Sequence, residues 1–150
     1  MELKDEVRIQ APKQVVYDAL NDPEILKQCI PGCEELTQHS PTELEALVVL
    51  KIGPVKAKFG GNVTLDTAGA PDHFSLTGEG KGGAAGFAKG GADVTLTEDG
   101  EETILAYDAK AEVGGKIAQL GSRLIQGTAK KLSAKFFDNF AQVVAEKQSA

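Results

Sequence analysis

Apolar residues along this chain recur first at helical, then at alternating, then again at helical spacing, and that succession predicts its elements. Leu3, Val7 and Ile9 share one side of an extended segment, which predicts an opening strand over 3–9 despite Asp5. Pro12 stands where a helix can begin, and Val15, Val16, Tyr17, Ala19 and Leu20 supply its apolar face. Asn21-Asp22-Pro23 ends that helix and starts another, because Asp22 can cap and Pro23 fits the first helical position. The second helix is short, reaching Gln28, and Ile30-Pro31-Gly32 stops it.

From Glu34 the period becomes two. Strands are predicted over 34–39 and 43–52, the latter apolar on both sides and therefore central or covered, with turns at Ser40-Pro41 and Gly53-Pro54. Beyond the turn, Val55, Ala57, Phe59, Gly61, Val63 and Leu65 point one way while Lys56, Lys58, Asn62, Thr64 and Asp66 point the other. Three more strands follow at 73–81, 87–97 and 103–113. Their inward sets are Phe74, Leu76, Gly78 and Gly80; Ala88, Gly90, Ala92, Val94 and Leu96; and Leu105, Tyr107, Ala109, Ala111 and Val113.

Past Gly114-Gly115 the helical period returns as one long helix from Lys116 to Ala145, whose stripe is Ile117, Leu120, Leu124, Thr128, Leu132, Phe136, Phe140 and Val143. Gly121 lies within that stripe, where a helical glycine costs about 1 kcal/mol against alanine, so a close approach or a need for space is expected there. The order strand, two helices, six strands, long helix predicts a single α+β domain over 1–150. Its highly twisted, seven-stranded antiparallel sheet wraps around the final helix.

Composition agrees with one soluble domain, at 150 residues with 41% hydrophobic and 25% charged. No run of about 18 apolar residues is present, and Met1–Glu6 lacks the basic start and apolar stretch of a signal peptide, so a cytoplasmic location is expected. The net charge of −6 argues against nucleic acid as a partner. Charge is nonetheless uneven: Lys116, Arg123, Lys130, Lys131 and Lys135 occupy a span without an acid, giving it +5 and the remainder −11. Such a face is either a solvated helix surface or a contact for an acidic protein or anionic membrane.

The inward lists are rich in small residues, with Ala57, Gly61, Gly78, Gly80, Ala88, Gly90 and Ala92 facing Ala118 and Gly121. Interiors pack densely, so facing small residues either bring backbones together or leave a space, and an apolar space closed by a helix suits a hydrophobic ligand. The loop Gly82-Gly83-Ala84-Ala85-Gly86-Phe87 offers Gly86 and Phe87 as a lid over an opening, or Phe87 as a staple to the body.

Catalytic signals are weak. Gly78-Glu79-Gly80-Lys81-Gly82-Gly83 has dinucleotide-type glycine spacing, but a strand rather than a helix follows it, so no helix N-terminus would meet a phosphate. Cys29 and Cys33 have no histidine at metal-ligand spacing, and a structural disulfide is not expected in a reducing compartment, so no metal is expected. Tyr107, Asp108 and His73 remain as acid or base groups that folding would have to bring together.

Several segments together resemble one family: Cys29-Ile30-Pro31-Gly32-Cys33, Lys51-Ile52-Gly53-Pro54-Val55-Lys56-Ala57-Lys58-Phe59, Ala88-Lys89-Gly90-Gly91-Ala92 and Val113 through Ile125. Their order and content resemble the G-subunit family of carbon monoxide dehydrogenase over residues 2–145. That family belongs to the START-like, or helix-grip (SRPBCC), superfamily. The resemblance implies a helix-grip fold and a non-enzymatic accessory protein of a molybdenum hydroxylase of the carbon monoxide dehydrogenase type. It further implies a cavity for a quinone- or lipid-like ligand, no covalent cofactor, and help in recruiting the enzyme to the inner face of the cytoplasmic membrane. Longer members carry a C-terminal tail, so anchoring by this chain alone is not expected.

From alternation and the helix stripe, the expected cavity lining is Phe59, Val63, Leu76, Ala92, Leu105, Tyr107, Ile117, Gly121, Leu124 and Thr128. Tyr107 and Thr128 would meet a polar headgroup and Gly121 would supply room. Lys116, Arg123, Lys130, Lys131 and Lys135 would contact partner or membrane. The competing readings are a small cyclase- or hydratase-type enzyme of the same superfamily, and a solid-cored docking adaptor.

Overall fold

The computed structural model describes residues 1–149. In chain order the elements are β1 (Glu2–Ile9), α1 (Lys13–Leu20), α2 (Pro23–Cys29), β2 (Cys33–Ser40), β3 (Glu43–Ile52), β4 (Val55–Asp66), β5 (His73–Lys81), β6 (Phe87–Asp99), β7 (Glu102–Gly114) and α3 (Ser122–Ser149). Short 3-10 turns at Gly83–Ala85 and Lys116–Leu120 precede β6 and α3. The seven strands form one antiparallel sheet in the order β1-β7-β6-β5-β4-β3-β2. β1 reaches its edge place by pairing with β7, Glu2 opposite Lys110 and Ile9 opposite Thr103. The α+β order and the helix-grip arrangement read from the sequence are both present.

The local chemistry accounts for the elements. The Asp22 side chain accepts a hydrogen bond from the Glu24 amide at 3.0 Å, and Pro23 opens α2. Gly32, at φ +78°, lets the chain turn flat against β3, where its carbonyl accepts from the Val49 amide at 2.9 Å. Thr103 is fully buried, and its hydroxyl donates to the Ala11 carbonyl at 2.7 Å, tying the β1–α1 connection to β7. Asn139 of α3 donates to the Cys29 carbonyl at 3.1 Å, joining α3 to α2.

One expectation changes. The final helix is not continuous from Lys116: the chain makes a 3-10 turn over Lys116–Leu120, breaks at Gly121 (φ +95°), and only then enters α3. Leu124, expected in the inner stripe, stands in the first turn of α3 and is 38% exposed, packed against the β3–β4 turn at Gly53, while Ile125 borders the interior.

The interior is divided. One cluster joins α1, α2 and the C-terminal half of α3 to the sheet, with Phe140, Val144, Val16, Ile9, Leu105 and Phe74 at its centre. Phe136 stacks on Phe140 at 5.9 Å and meets Phe137 edge-on at 5.0 Å, so α3 fills this half with aromatic volume. A second, smaller cluster of Phe59, Ala85 and Ile117, with Leu50, Ile52 and Val113 against it, lies at the other end.

Candidate functional site

Between β3–β7 and the first half of α3 the chain leaves a cavity of about 380 Å³. β3 supplies Ala46, Val48, Leu50 and Ile52, and β4 supplies Phe59 and Val63. Glycine and alanine from β4–β6, namely Gly61, Gly78, Gly80 and Ala88, keep the sheet side low. β7 adds Val113, and Ile117, Ile125, Ala129 and Leu132 close the helix side. Its polar contributors are few: Thr128, whose hydroxyl already donates to the Leu124 carbonyl at 2.9 Å, and Asn62 and Glu79, which also border the outer face. A site with mostly apolar walls and few polar groups suits a hydrophobic small molecule.

The small inward residues do both of the things that sequence allowed. At Gly61 an added Cβ would stand 2.6 Å from the Glu79 carbonyl oxygen, and at Gly90 it would lie 2.8 Å from Ala111 Cα, so these glycines let neighbouring backbones approach where the sheet curls. Gly80 differs: the nearest atom to its Cβ position is Phe59 Cβ at 3.9 Å, and the space beyond belongs to the cavity.

Of the ten expected lining residues, Phe59, Val63, Ile117 and Thr128 border this cavity. The other six do not. Leu105 and Leu76 belong to the aromatic-filled core. Ala92, paired with Leu76 and Ala109, lies one inward position along β6 from Gly90, whose partner Gly78 borders the cavity. Tyr107 stacks on Phe137 at 5.3 Å and shares a hydrogen bond with Ser133; burial holds its phenol above the usual range, with the Ser133 bond pulling the other way. Gly121 faces open space, with nothing within 4 Å of its Cβ position, and a larger residue there would strain the backbone rather than fill the cavity. Leu124 packs outside against the β3–β4 turn, 2.8 Å from the Cβ position of Gly53.

The lid expectation also shifts. Phe87 lies over Gly114 and is 38% exposed, bordering surface depressions rather than the apolar cavity. Gly86, at φ +115°, is wedged against the Gly114–Gly115 backbone and accepts from the Gly82 amide at 2.8 Å, which makes it a tight turn. Alternation puts Gly80, Ala88 and Val113 on the inner face, and the helical period puts Leu132 in the stripe, but neither pattern assigns them to the site. The four β3 residues are detectable in sequence only as a strand apolar on both sides.

The acid and base candidates do not converge. Tyr107 points inward, whereas Asp108 is on the outer face, 3.4 Å from Lys4, and His73 contacts Asp93 there at 3.6 Å. A larger groove of about 740 Å³ also runs over the outer face, but Glu2, Thr64, Lys89 and Lys110 make it polar and mixed in charge. Cys29 and Cys33 are free thiols, and burial raises the pKa of each. Among the described residues no three His, Cys, Asp or Glu side chains gather as a metal site, and no helix is long and apolar enough to cross a membrane. Lys116, Arg123, Lys130, Lys131 and Lys135 are all exposed, and among the described residues none has an ion-pair partner.

Residues 6–145 match the family of the carbon monoxide dehydrogenase G-subunit, CoxG. The chain belongs to that family. The CoxG match spans both core clusters and all of the cavity lining except Met1. No curated protein matches the sequence. Among solved structures, a conserved protein from Geobacillus kaustophilus is 31% identical, with a TM-score of 0.91 and coverage of 97% of this chain and 96% of that one. A START superfamily protein from Mycobacterium smegmatis has a TM-score of 0.75 at 15% identity, covering 97% of each chain. The Zhui aromatase/cyclase from Streptomyces sp. R1128 has a TM-score of 0.69 at 12% identity, covering 98% of this chain and 94% of that one. The last two show a shared fold, and a fold by itself does not fix a function.

Proposed function

We propose that this CoxG-family protein is a non-enzymatic accessory protein that holds a quinone- or lipid-like molecule in the apolar cavity and serves a molybdenum hydroxylase of the carbon monoxide dehydrogenase type. The cavity carries this reading: about 380 Å³ of apolar-walled space lies within the range of small-molecule sites. A flat ring system fits such walls, and the tail of a long-chain lipid would extend beyond them. Thr128, whose proton goes to the Leu124 carbonyl, can still accept a hydrogen bond from a ligand hydroxyl. The family supports service to carbon monoxide dehydrogenase. The unpaired cations of α3 support docking on acidic hydroxylase subunits at the cytoplasmic membrane.

Cavity filling tests the reading. Gly80→Val and Ala88→Leu place side chains into the space without meeting backbone at Gly80. Native mass spectrometry and organic extraction of protein purified from its own cells should find an apolar molecule in wild type and at least about tenfold less in either folded variant, a loss of about 1.4 kcal/mol or more in binding. Equal ligand content in wild type and both variants would overturn the assignment.

A further inference from the structure

The residues joining β7 to α3 form a piece apart from both. Gly115 and Gly121 bound the piece, and each has a positive φ, +79° and +95°, which residues with a side chain rarely adopt. Between them, the Ala118 amide donates to the Gly115 carbonyl at 3.1 Å and the Gly121 amide to the Ala118 carbonyl at 3.5 Å. Among the described residues no backbone hydrogen bond runs from this segment to the sheet. Ile117, 2% exposed, and Leu120 hold it down by apolar contact with the cluster that contains Phe59 and Ala85. The two ends differ. A Cβ at Gly115 would come within 2.6 Å of Gly86 Cα, so that end is packed in, whereas Gly121 has no atom within 4 Å of its Cβ position and is held by two backbone hydrogen bonds, its own amide to the Ala118 carbonyl and the Ile125 amide to its carbonyl at 3.2 Å.

A second observation concerns the wall beneath. Met1, Val113 and Ile125 border the apolar cavity and also a surface depression flanked by Ala118 and Ser122. The cavity and the depression thus share these side chains as a common border where the segment crosses from β7 to α3.

We propose that Gly115–Gly121 is the door of the cavity. Turning at Gly121 withdraws Ile117 and opens a passage between Val113 and Ile125 for an apolar molecule; the segment then closes with Ile117 as its bolt. This rests on the cavity being a binding site. It adds the route of entry and the residue that controls exchange. A rigid turn would need the same two glycines, so the test has to read motion.

Hydrogen exchange on the whole protein supplies that reading, with N-phenyl-1-naphthylamine as a neutral apolar probe. Amides of Ile117–Leu120 should exchange at least about tenfold faster than those of Tyr107–Ala111 and Thr128–Leu132, and should slow when the probe is bound. In stopped-flow fluorescence, Ile117→Val, and more strongly Ile117→Ala, should raise association and dissociation rates of the probe together, about fivefold for alanine, while Kd moves less than about threefold. Exchange as slow as in the flanking elements, or probe rates unchanged in both variants, would overturn the door while leaving the cavity standing. A wild-type chain that binds no probe would overturn both. The wild-type exchange measurement needs no variant, so poor folding of Ile117→Ala does not blunt it.

Discussion

Gly61 and Gly80 face each other on neighbouring strands, yet a methyl group meets opposite fates at the two positions. At Gly61 it would press on the Glu79 carbonyl oxygen at 2.6 Å and on Gly80 Cα at 3.1 Å, so backbone would have to move. Gly61→Ala should therefore cost about 1–3 kcal/mol, in the range of overpacking. Gly80→Ala meets only Phe59 Cβ at 3.9 Å and should be neutral or gain about 0.4–1 kcal/mol, because alanine restricts the unfolded chain more than glycine does. Denaturant midpoints of the two variants decide the matter, and similar losses at both sites would contradict it. Sequence shows both glycines on the inner face. It cannot separate them, since the difference lies in how far the adjacent strand has curled.

α3 does different work along its length. Its C-terminal half buries Phe140 and Val144 almost completely against α1, α2 and the sheet, while its N-terminal half presents Ile125, Ala129 and Leu132 to the cavity. Phe140→Ala would leave a hole in a filled core and should cost roughly 3–5 kcal/mol. Leu132→Ala removes atoms that already face space on one side and give up fewer contacts, so it should cost less than half as much. Thermal unfolding of both variants checks the ratio; comparable losses would mean that the space between sheet and α3 closes up in solution. The stripe itself is legible as helical periodicity, with Thr128, Leu132, Phe136 and Phe140 in place. Leu124 departs from it because, in the first turn of α3, it meets the β3–β4 turn at Gly53 from outside, a contact between elements that periodicity does not contain.

For the whole molecule, the main asymmetry is electrostatic. Lys4, Arg8, Lys58, Lys89 and Lys110 are tied to carboxylates on the sheet, whereas the five cations between Lys116 and Lys135 are not. Exposed ion pairs stabilise little, so reversing unpaired charges should leave folding nearly intact. On the proposed function, a Lys130→Glu/Lys131→Glu/Lys135→Glu variant is expected to keep its Tm and the proposed apolar ligand, yet to lose at least about tenfold in affinity for the proposed hydroxylase partner at low salt. The wild-type interaction should weaken as salt rises. Pull-down of hydroxylase subunits across a salt series reads this, and an unchanged, salt-insensitive interaction in the variant would move the docking surface elsewhere.

The alternation and helical periods by themselves determined the element order, the inner and outer faces of β4–β7, and the small residues that line the concave side. Those properties are local: they follow from side-chain geometry along one strand or one helix, and each is written in a window of about ten residues. Tertiary structure alone decided which part of the inner face borders space. β4–β7 each run past both halves of the molecule, and Leu76, Ala92, Leu105 and Tyr107 share a face with Phe59, Val63 and Gly80. Leu76, Leu105 and Tyr107 are met by the aromatic end of α3 and its companion helices, while Phe59, Val63 and Gly80 border the cavity beneath the smaller residues of the helix's first half. That difference depends on where α3 lies along the strands and where Gly121 breaks the chain. Both are distances between elements, which no single stretch of sequence contains.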